Sequence, residues 1–105
     1  MIWHFLHPNA RQAAGLIPSF LSEADPRPAR EQLHEAYAHG GGWRPFKGFK
    51  PVLTGDPQGW RLEYPGDRPM MAQAYAALGE EMVIIFEYSW VAVVTDGKAE
   101  IARMD

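Results

Sequence analysis

Residues 82–103 of this chain read MVIIFEYSWVAVVTDGKAEIAR, and they carry the clearest structural signal in the sequence. Two near-continuous apolar runs, Met82 to Phe86 and Trp90 to Thr95, are rich in β-branched residues and predict buried strands. Asp96-Gly97 follows the second run and is a strong hairpin signal, because both central residues of a type I′ turn need positive φ. Lys98 to Arg103 then continues as a return strand. The pattern predicts a three-stranded antiparallel meander.

Further strands are predicted before the meander. The apolar, aromatic run from Met1 to Leu6 is typical of a strand, and Pro8-Asn9 breaks it. Two more runs, Lys50 to Thr54 and Trp60 to Tyr64, are joined by a turn rich in Gly and Pro. In the second of these runs apolar and charged residues alternate, which indicates one buried and one solvated face. These two runs predict a hairpin.

Helical spacing occurs in three places. The first lies between Ala10 and Leu21, where Pro18 must either kink the helix or divide it in two. The second starts at Asp25-Pro26, an N-cap acceptor followed by proline, and ends at Gly40. The third is opened by Pro69 and closed by Gly79. The apolar positions that predict the second and third helices are Ala29, Leu33, Ala36 and Tyr37, and Met71, Ala74, Tyr75 and Leu78.

The order of these elements favours an α+β fold. Strands arrive in hairpins and do not alternate with helices, so a doubly wound parallel sheet is disfavoured. We expect an antiparallel sheet, made of the C-terminal three-stranded meander plus a hairpin, with two to four short helices packed on it. A hydrophobic share of 47% indicates a packed core, and residues 1–105 are expected to form a single domain.

The composition excludes several classes of chemistry. The chain has no cysteine, so it has no thiol nucleophile, no thiolate zinc site and no disulfide framework. No run approaches the ~20 apolar residues of a transmembrane helix, and the first residues lack the basic region of a signal peptide. From these observations we expect a cytoplasmic protein without a membrane partner, and no motif calls for a cofactor or a metal.

One loop, residues 39–51, combines aromatic and basic residues. Trp43, Phe46 and Phe49 recur in steps of three beside Arg44, Lys47 and Lys50. The formal net charge is −3, although the window 36–55 carries +3. Bases stack on exposed aromatic rings while basic side chains follow phosphates, so this loop predicts a binding site, with a single-stranded nucleic acid as one occupant. The alternatives are a groove for a protein or peptide, and aromatic rings that close over the core.

Histidines and glutamates form the remaining candidates. Glu31 and His34 lie three residues apart on the second helix, and Glu35 and His39 lie four apart, so each pair shares a helix face. Helical metal sites need more ligands than one such pair supplies. An enzyme that uses His34 or His39 with Glu35 would need one of these groups buried beside a cavity. Solvated side chains are the alternative.

The sequence contains no complete catalytic constellation, and this favours a non-enzymatic function. We expect a small binding or regulatory module that acts through a protein–protein surface. The strands that are apolar on both faces suggest a homodimer as one form of that surface, or else a sheet that is covered on both sides. Single-stranded nucleic-acid binding by the aromatic-basic loop is the second hypothesis, and a small enzyme with a His/Glu pair is the third.

Overall fold

The structure of the protein, a computed structural model, describes residues 3–9, 11–12, 15–22, 24–39, 42–45, 52–54, 60–63, 70–78, 80–86 and 90–104. Within these ranges it contains one α-helix and eight β-strands. The elements are β1 (His4–Phe5), α1 (Ala29–His39), β2 (Trp43–Pro45), β3 (Val52–Thr54), β4 (Arg61–Glu63), β5 (Met70–Leu78), β6 (Glu81–Phe86), β7 (Trp90–Thr95) and β8 (Lys98–Met104).

All the strands belong to one antiparallel sheet in the order β2-β8-β7-β6-β5-β4-β3. The predicted meander is confirmed as β6, β7 and β8, and the predicted hairpin is confirmed as β3 and β4. The short strand β1 pairs with the second half of β5, while β4 pairs with its first half. Both neighbours therefore share one edge of β5.

Both faces of the central strands are buried, because the apolar runs of β6 and β7 point side chains to either side. Val83 and Val93 lie on the face that α1 covers, together with the aromatic residues Trp3 and Phe20. Ile84 and its neighbours form a second cluster on the opposite face. The structure thus agrees with an α+β fold in which α1 packs on one face of an antiparallel sheet.

Helix α1 is the second of the three predicted helices. Its apolar face packs as the spacing predicts, with Ala29 and Leu33 fully buried against the sheet. It begins at Ala29, four residues after the predicted N-cap, because Asp25 accepts hydrogen bonds from Arg27 and does not cap the helix. The predicted end at Gly40 lies outside the described residues.

The expectation of two to four short helices is wrong for the part of the chain that the structure describes. Arg11 and Gln12 have helical backbone geometry, but residues 15–22 form turns and bends instead of continuing to Leu21. Pro18 lies in this segment and is buried. A proline lacks the N–H that a continuing helix requires, so the segment follows the surface of the sheet as turns.

The third predicted helix is strand β5. A register shift between Ala72 and Ala74 inserts one extra residue into the ladder with β6. Ala72 and Tyr75 therefore pack on the same face although they are three positions apart. A β-bulge of this kind changes the strand period of two into a local spacing of three, which resembles a helix. Pairing on both edges outweighs the helix preference of the alanines.

The hairpin turn between β7 and β8 forms as predicted. Asp96 and Gly97 have φ values of 51° and 76°, and Thr95 pairs with Lys98 across them. Both central residues thus adopt the positive φ of a type I′ turn. Among the described residues no helix is long and apolar enough to cross a membrane.

Candidate functional site

The candidate site is a cleft where the first turn of α1 meets the ends of β6 and β7. Glu81 begins β6 and Thr95 ends β7, and the register places these two residues opposite each other. Thr95 Oγ1 donates a hydrogen bond of 2.9 Å to Glu81 Oε2. Cross-strand pairing therefore fixes the carboxylate at the edge of the sheet, directly beside the helix start.

Glu81 also supplies a cap for the helix. The backbone N–H of Arg30 donates to Glu81 Oε2 over 3.2 Å, so the sheet provides an acceptor for one of the amides that a helix start leaves unpaired. A carboxylate at a helix N-terminus is also favoured by the helix dipole, by ~0.3–1 kcal/mol at exposed sites and more when partly buried. These contacts hold the side chain at only 8% exposure.

The other carboxylate oxygen of Glu81, Oε1, has a different environment. Both hydrogen bonds go to Oε2, and no described residue donates to Oε1. The residue lines a cleft of about 750 Å³. A carboxylate oxygen that receives no hydrogen bond from the described residues keeps its capacity to accept one.

The wall of the cleft carries more negative than positive charge. Glu31, Glu80 and Glu81 line it with three formal negative charges. Arg27 and Arg30 supply two positive charges, histidine being counted as neutral, and His34, Pro26 and Pro28 complete the wall. Glu31 and Glu80 are exposed and form no ion pair with any described residue.

Each arginine of the cleft wall contacts a carboxylate that lies outside the wall. Arg27 Nη2 lies 2.6 Å from Asp25 Oδ2, and its Nη1 contacts Glu35. The side-chain hydrogen bonds from Arg27 lower the pKa of Asp25, and the carboxylates of Asp25 and Glu35 in turn raise the pKa of Arg27. Arg30 Nε lies 3.4 Å from Glu100. The positive charges are therefore compensated, whereas two glutamates are not.

His34 and Glu35 do not come together as a catalytic pair. His34 Nε2 lies 2.8 Å from a carboxylate oxygen of Glu100 on β8, and Glu35 contacts Arg27 on the other side of α1. Both side chains are roughly half exposed, and His39 is exposed as well. No group of three or more metal-ligating side chains occurs among the described residues. The enzyme hypothesis gains no geometric support from these residues.

Only the start of the aromatic-basic loop lies within the described residues. Trp43 is 5% exposed, and its ring meets that of Phe20 edge to face at 5.4 Å. It therefore packs on the core and presents no free face to a base, whereas Arg44 is exposed. The other predicted binding residues, Phe46, Lys47, Phe49 and Lys50, lie outside the described residues. The binding prediction for the loop stays a prediction.

Sequence reasoning missed Glu81. Glu80-Glu81 resembles a solvated boundary between two elements, and Glu80 is indeed exposed. The only signal was that Glu81 directly precedes the apolar run of β6. Its burial depends on the partner strand and on α1, which begins about fifty positions earlier in the chain.

Comparison with known proteins gives no assignment. The chain matches no protein-family model, no curated protein and no solved structure. The geometry of the cleft is therefore the basis for any statement about function.

Proposed function

We propose that this protein is a small binding module and that it docks a basic segment of a partner protein in the cleft at the start of α1. The single observation that carries the proposal is the buried Glu81 carboxylate, which lines the cleft with an unused oxygen. A guanidinium or ammonium group donates to such an oxygen in a charge-assisted hydrogen bond, worth about 1.5–3 kcal/mol.

The surroundings of Glu81 support a cationic occupant. Glu31 and Glu80 add two carboxylates without a described cation partner, and they attract positive charge across the mouth of the cleft. Pro26 and Pro28 offer apolar wall against which the methylene stem of an arginine or lysine packs. The net charge of −3 favours encounter with a basic partner over an acidic one.

The proposal does not depend on an exposed apolar surface. Among the described residues only Met71 and Met104 are large apolar side chains with substantial exposure. The homodimer that the apolar strands suggested stays an alternative, because the residues that cluster on the second face lie in the strands of the sheet or directly beside them. The cleft supports a protein-binding function through polar recognition.

A titration with model peptides tests the proposal. The probes are three short glycine-spaced peptides that carry arginine, lysine or glutamate, added to ¹⁵N-labelled protein and followed by NMR at low and at physiological salt. We expect saturable shifts of the Arg30 and Thr95 amides with the basic peptides, weaker binding at higher salt, and no saturable shift with the acidic peptide.

Variants separate specific binding from general attraction. Glu81→Gln keeps the size of the side chain and an oxygen acceptor for Arg30 and Thr95, and we expect it to weaken binding of the basic peptides about ten-fold or more. Asp96→Asn removes one negative charge from a residue outside the cleft wall and should leave the affinity within about two-fold at physiological salt. Equal losses in both variants, or shifts centred away from Arg30 and Thr95, would contradict the proposal.

A further inference from the structure

A smaller groove continues the cleft along the side of α1. It has a volume of about 230 Å³, and Arg30 of α1 lines it together with residues of β7 and β8, among them Lys98 and Glu100. Arg30 and Thr95 also line the cleft, so the cleft and the groove share a border. A ligand that fills the cleft can therefore extend across this border into the groove.

The groove and the cleft differ in the sign of their charge. Arg30 and Lys98 give the groove wall two formal positive charges and Glu100 gives it one negative charge, so the wall carries +1. The cleft wall carries −1, from three glutamates and two arginines with histidine neutral. Adjoining surfaces of opposite charge fit a ligand that carries both charges in the complementary order.

Lys98 has no counter-charge among the described residues. The carboxylate beside it, Glu100, lies 3.4 Å from Arg30 Nε and 2.8 Å from His34 Nε2. Lys98 itself is exposed and forms no ion pair with any described residue. Its ammonium group is thus the cation of the groove that an anion from outside the chain can approach.

The strand register places Lys98 in line with Glu81. Glu81 lies opposite Thr95, and Thr95 lies opposite Lys98, so the three residues form a row across β6, β7 and β8 on one face of the sheet. The hydrogen bonds of Glu81 to Thr95 and to the Arg30 amide identify this face as the one that α1 covers.

The row also sets a distance. Neighbouring strands lie about 4.7–4.9 Å apart, so Glu81 and Lys98 are separated by about 10 Å of sheet. An extended peptide rises about 3.3 Å per residue and covers this distance in three residues. Groups three positions apart in an extended segment therefore match the separation of the two side chains.

We infer that the basic segment in the cleft carries a carboxylate side chain about three residues from its arginine or lysine, and that this carboxylate pairs with Lys98. The inference rests on the proposed function, which places the basic group at Glu81. It narrows the partner from any basic segment to one with a basic and an acidic residue at this spacing. Both chain directions satisfy the spacing.

Two pairs of capped peptides test the inference. In one pair an arginine is followed by two glycines and then by glutamate or glutamine, and in the other pair the order is reversed. Binding to ¹⁵N-labelled protein is followed by NMR through the amides of Arg30, Thr95 and Lys98. In at least one order we expect the glutamate peptide to bind about two- to five-fold more tightly than its glutamine counterpart and to shift the Lys98 amide as well.

The comparison of the two peptides separates local pairing from general attraction. The protein has a net charge of −3, and the glutamine peptide carries the larger positive charge. Long-range attraction alone therefore predicts tighter binding of the glutamine peptide. A preference for the glutamate peptide reports a cation that lies within the bound site.

Lys98→Gln and Arg11→Gln are matched variants, because each replaces an exposed cation that forms no ion pair with a described residue. Arg11 lies outside the walls of the cleft and the groove. Lys98→Gln should remove the preference for the glutamate peptide and leave the affinity for the glutamine peptide within about two-fold. Arg11→Gln should keep the preference.

The outcomes distinguish this inference from the proposed function. Equal affinities of the two peptides in both orders, tighter binding of the glutamine peptides, or a preference that persists in Lys98→Gln would overturn the inference and leave the proposed function intact. No saturable shift of the Arg30 and Thr95 amides with any of the four peptides would overturn both.

Discussion

Replacement of Ile84 by alanine measures how completely a single chain covers the second face of the sheet. Ile84 is 0% exposed and packs with Met70, Phe86 and Ala92 on the face opposite α1. The substitution removes three buried carbon atoms, which at ~0.8 kcal/mol each corresponds to about 2.4 kcal/mol of transfer free energy. The cavity that remains raises the expected loss to about 3–4 kcal/mol.

Equilibrium unfolding in urea gives this free energy by linear extrapolation, with tryptophan fluorescence and circular dichroism as two independent signals. The measurement is made at two protein concentrations about fifty-fold apart, because a face covered by a second copy would stabilise the protein by mass action. We expect the same unfolding midpoint at both concentrations. Ile84→Val, expected to cost about 0.5–1.5 kcal/mol, gives a value in case the alanine variant does not fold.

Met71→Ala is the control for this experiment. Met71 belongs to β5, and its side chain is 45% exposed, so we expect a change within about 0.5 kcal/mol. A loss below about 1 kcal/mol for Ile84→Ala would contradict this expectation, because a fully buried isoleucine contributes more than that to the free energy of unfolding. An unfolding midpoint that rises with protein concentration would also contradict it, and would favour the homodimer.

Two further predictions concern single groups. Burial raises the pKa of Tyr37, helped by the nearby Glu100 carboxylate, and the buried hydroxyl has no partner among the described residues. The folded state therefore disfavours the phenolate form. As the pH rises above about 10, Tyr37 ionises more readily in the unfolded chain than in the folded protein, so the free energy of unfolding falls until the pH passes the folded pKa. Tyr37→Phe should raise the free energy of unfolding by about 1 kcal/mol at neutral pH and reduce the loss of stability at alkaline pH. Urea unfolding midpoints at neutral and alkaline pH measure both effects. The same midpoints in the variant and the unmodified protein at both pH values would contradict this prediction. Gly97→Ala should lower the free energy of unfolding by about 1–2 kcal/mol, because φ at this position is +76° and an L side chain is strained there. Steric contact does not contribute, since an added Cβ meets nothing within 4 Å. An unchanged melting temperature would show that the turn is not type I′.

The C-terminal meander was predictable because its signals are local. Apolar, β-branched runs specify strands that are buried on both faces, and Asp96-Gly97 specifies the turn that pairs β7 with β8. The apolar face of α1 was predictable for the same reason, since Ala29 and Leu33 repeat at helical spacing. Each of these elements can be read within about ten residues of sequence.

Strand β5 was not predictable, because its conformation depends on its neighbours. An alanine-rich segment with a spacing of three fits a helix, and only the pairing with β6, β4 and β1 makes it a strand. The β-bulge near Gln73 places residues that are three positions apart on the same face of the sheet. A bulge is a property of two strands in register, so the sequence of one strand carries no separate sign of it.

The candidate cleft could not be predicted from the sequence for a related reason. Glu81 and Arg30 are about fifty positions apart, and the hydrogen bond between them exists only after the sheet and helix have packed. The ion pairs of Arg30 and His34 with Glu100 likewise connect α1 to β8. Helical spacing grouped Glu31 with His34 and Glu35 with His39, whereas in the packed structure His34 contacts Glu100 and Glu35 contacts Arg27.

Glu81 links the fold and the proposed function through its two carboxylate oxygens. Oε2 accepts from the Arg30 amide and from Thr95, and these contacts hold the side chain in place, while no described residue donates to Oε1. Under the proposed function, a cation at Oε1 would meet an acceptor that is already oriented, so little conformational entropy would be lost on binding. The proposal then predicts that a change at Glu81 affects stability and binding together, whereas a change at the exposed Glu80 affects binding alone. If Glu80→Gln weakens the basic peptides without a change in the urea midpoint, the attraction comes from the charge of the cleft itself and not from an indirect effect on the start of α1.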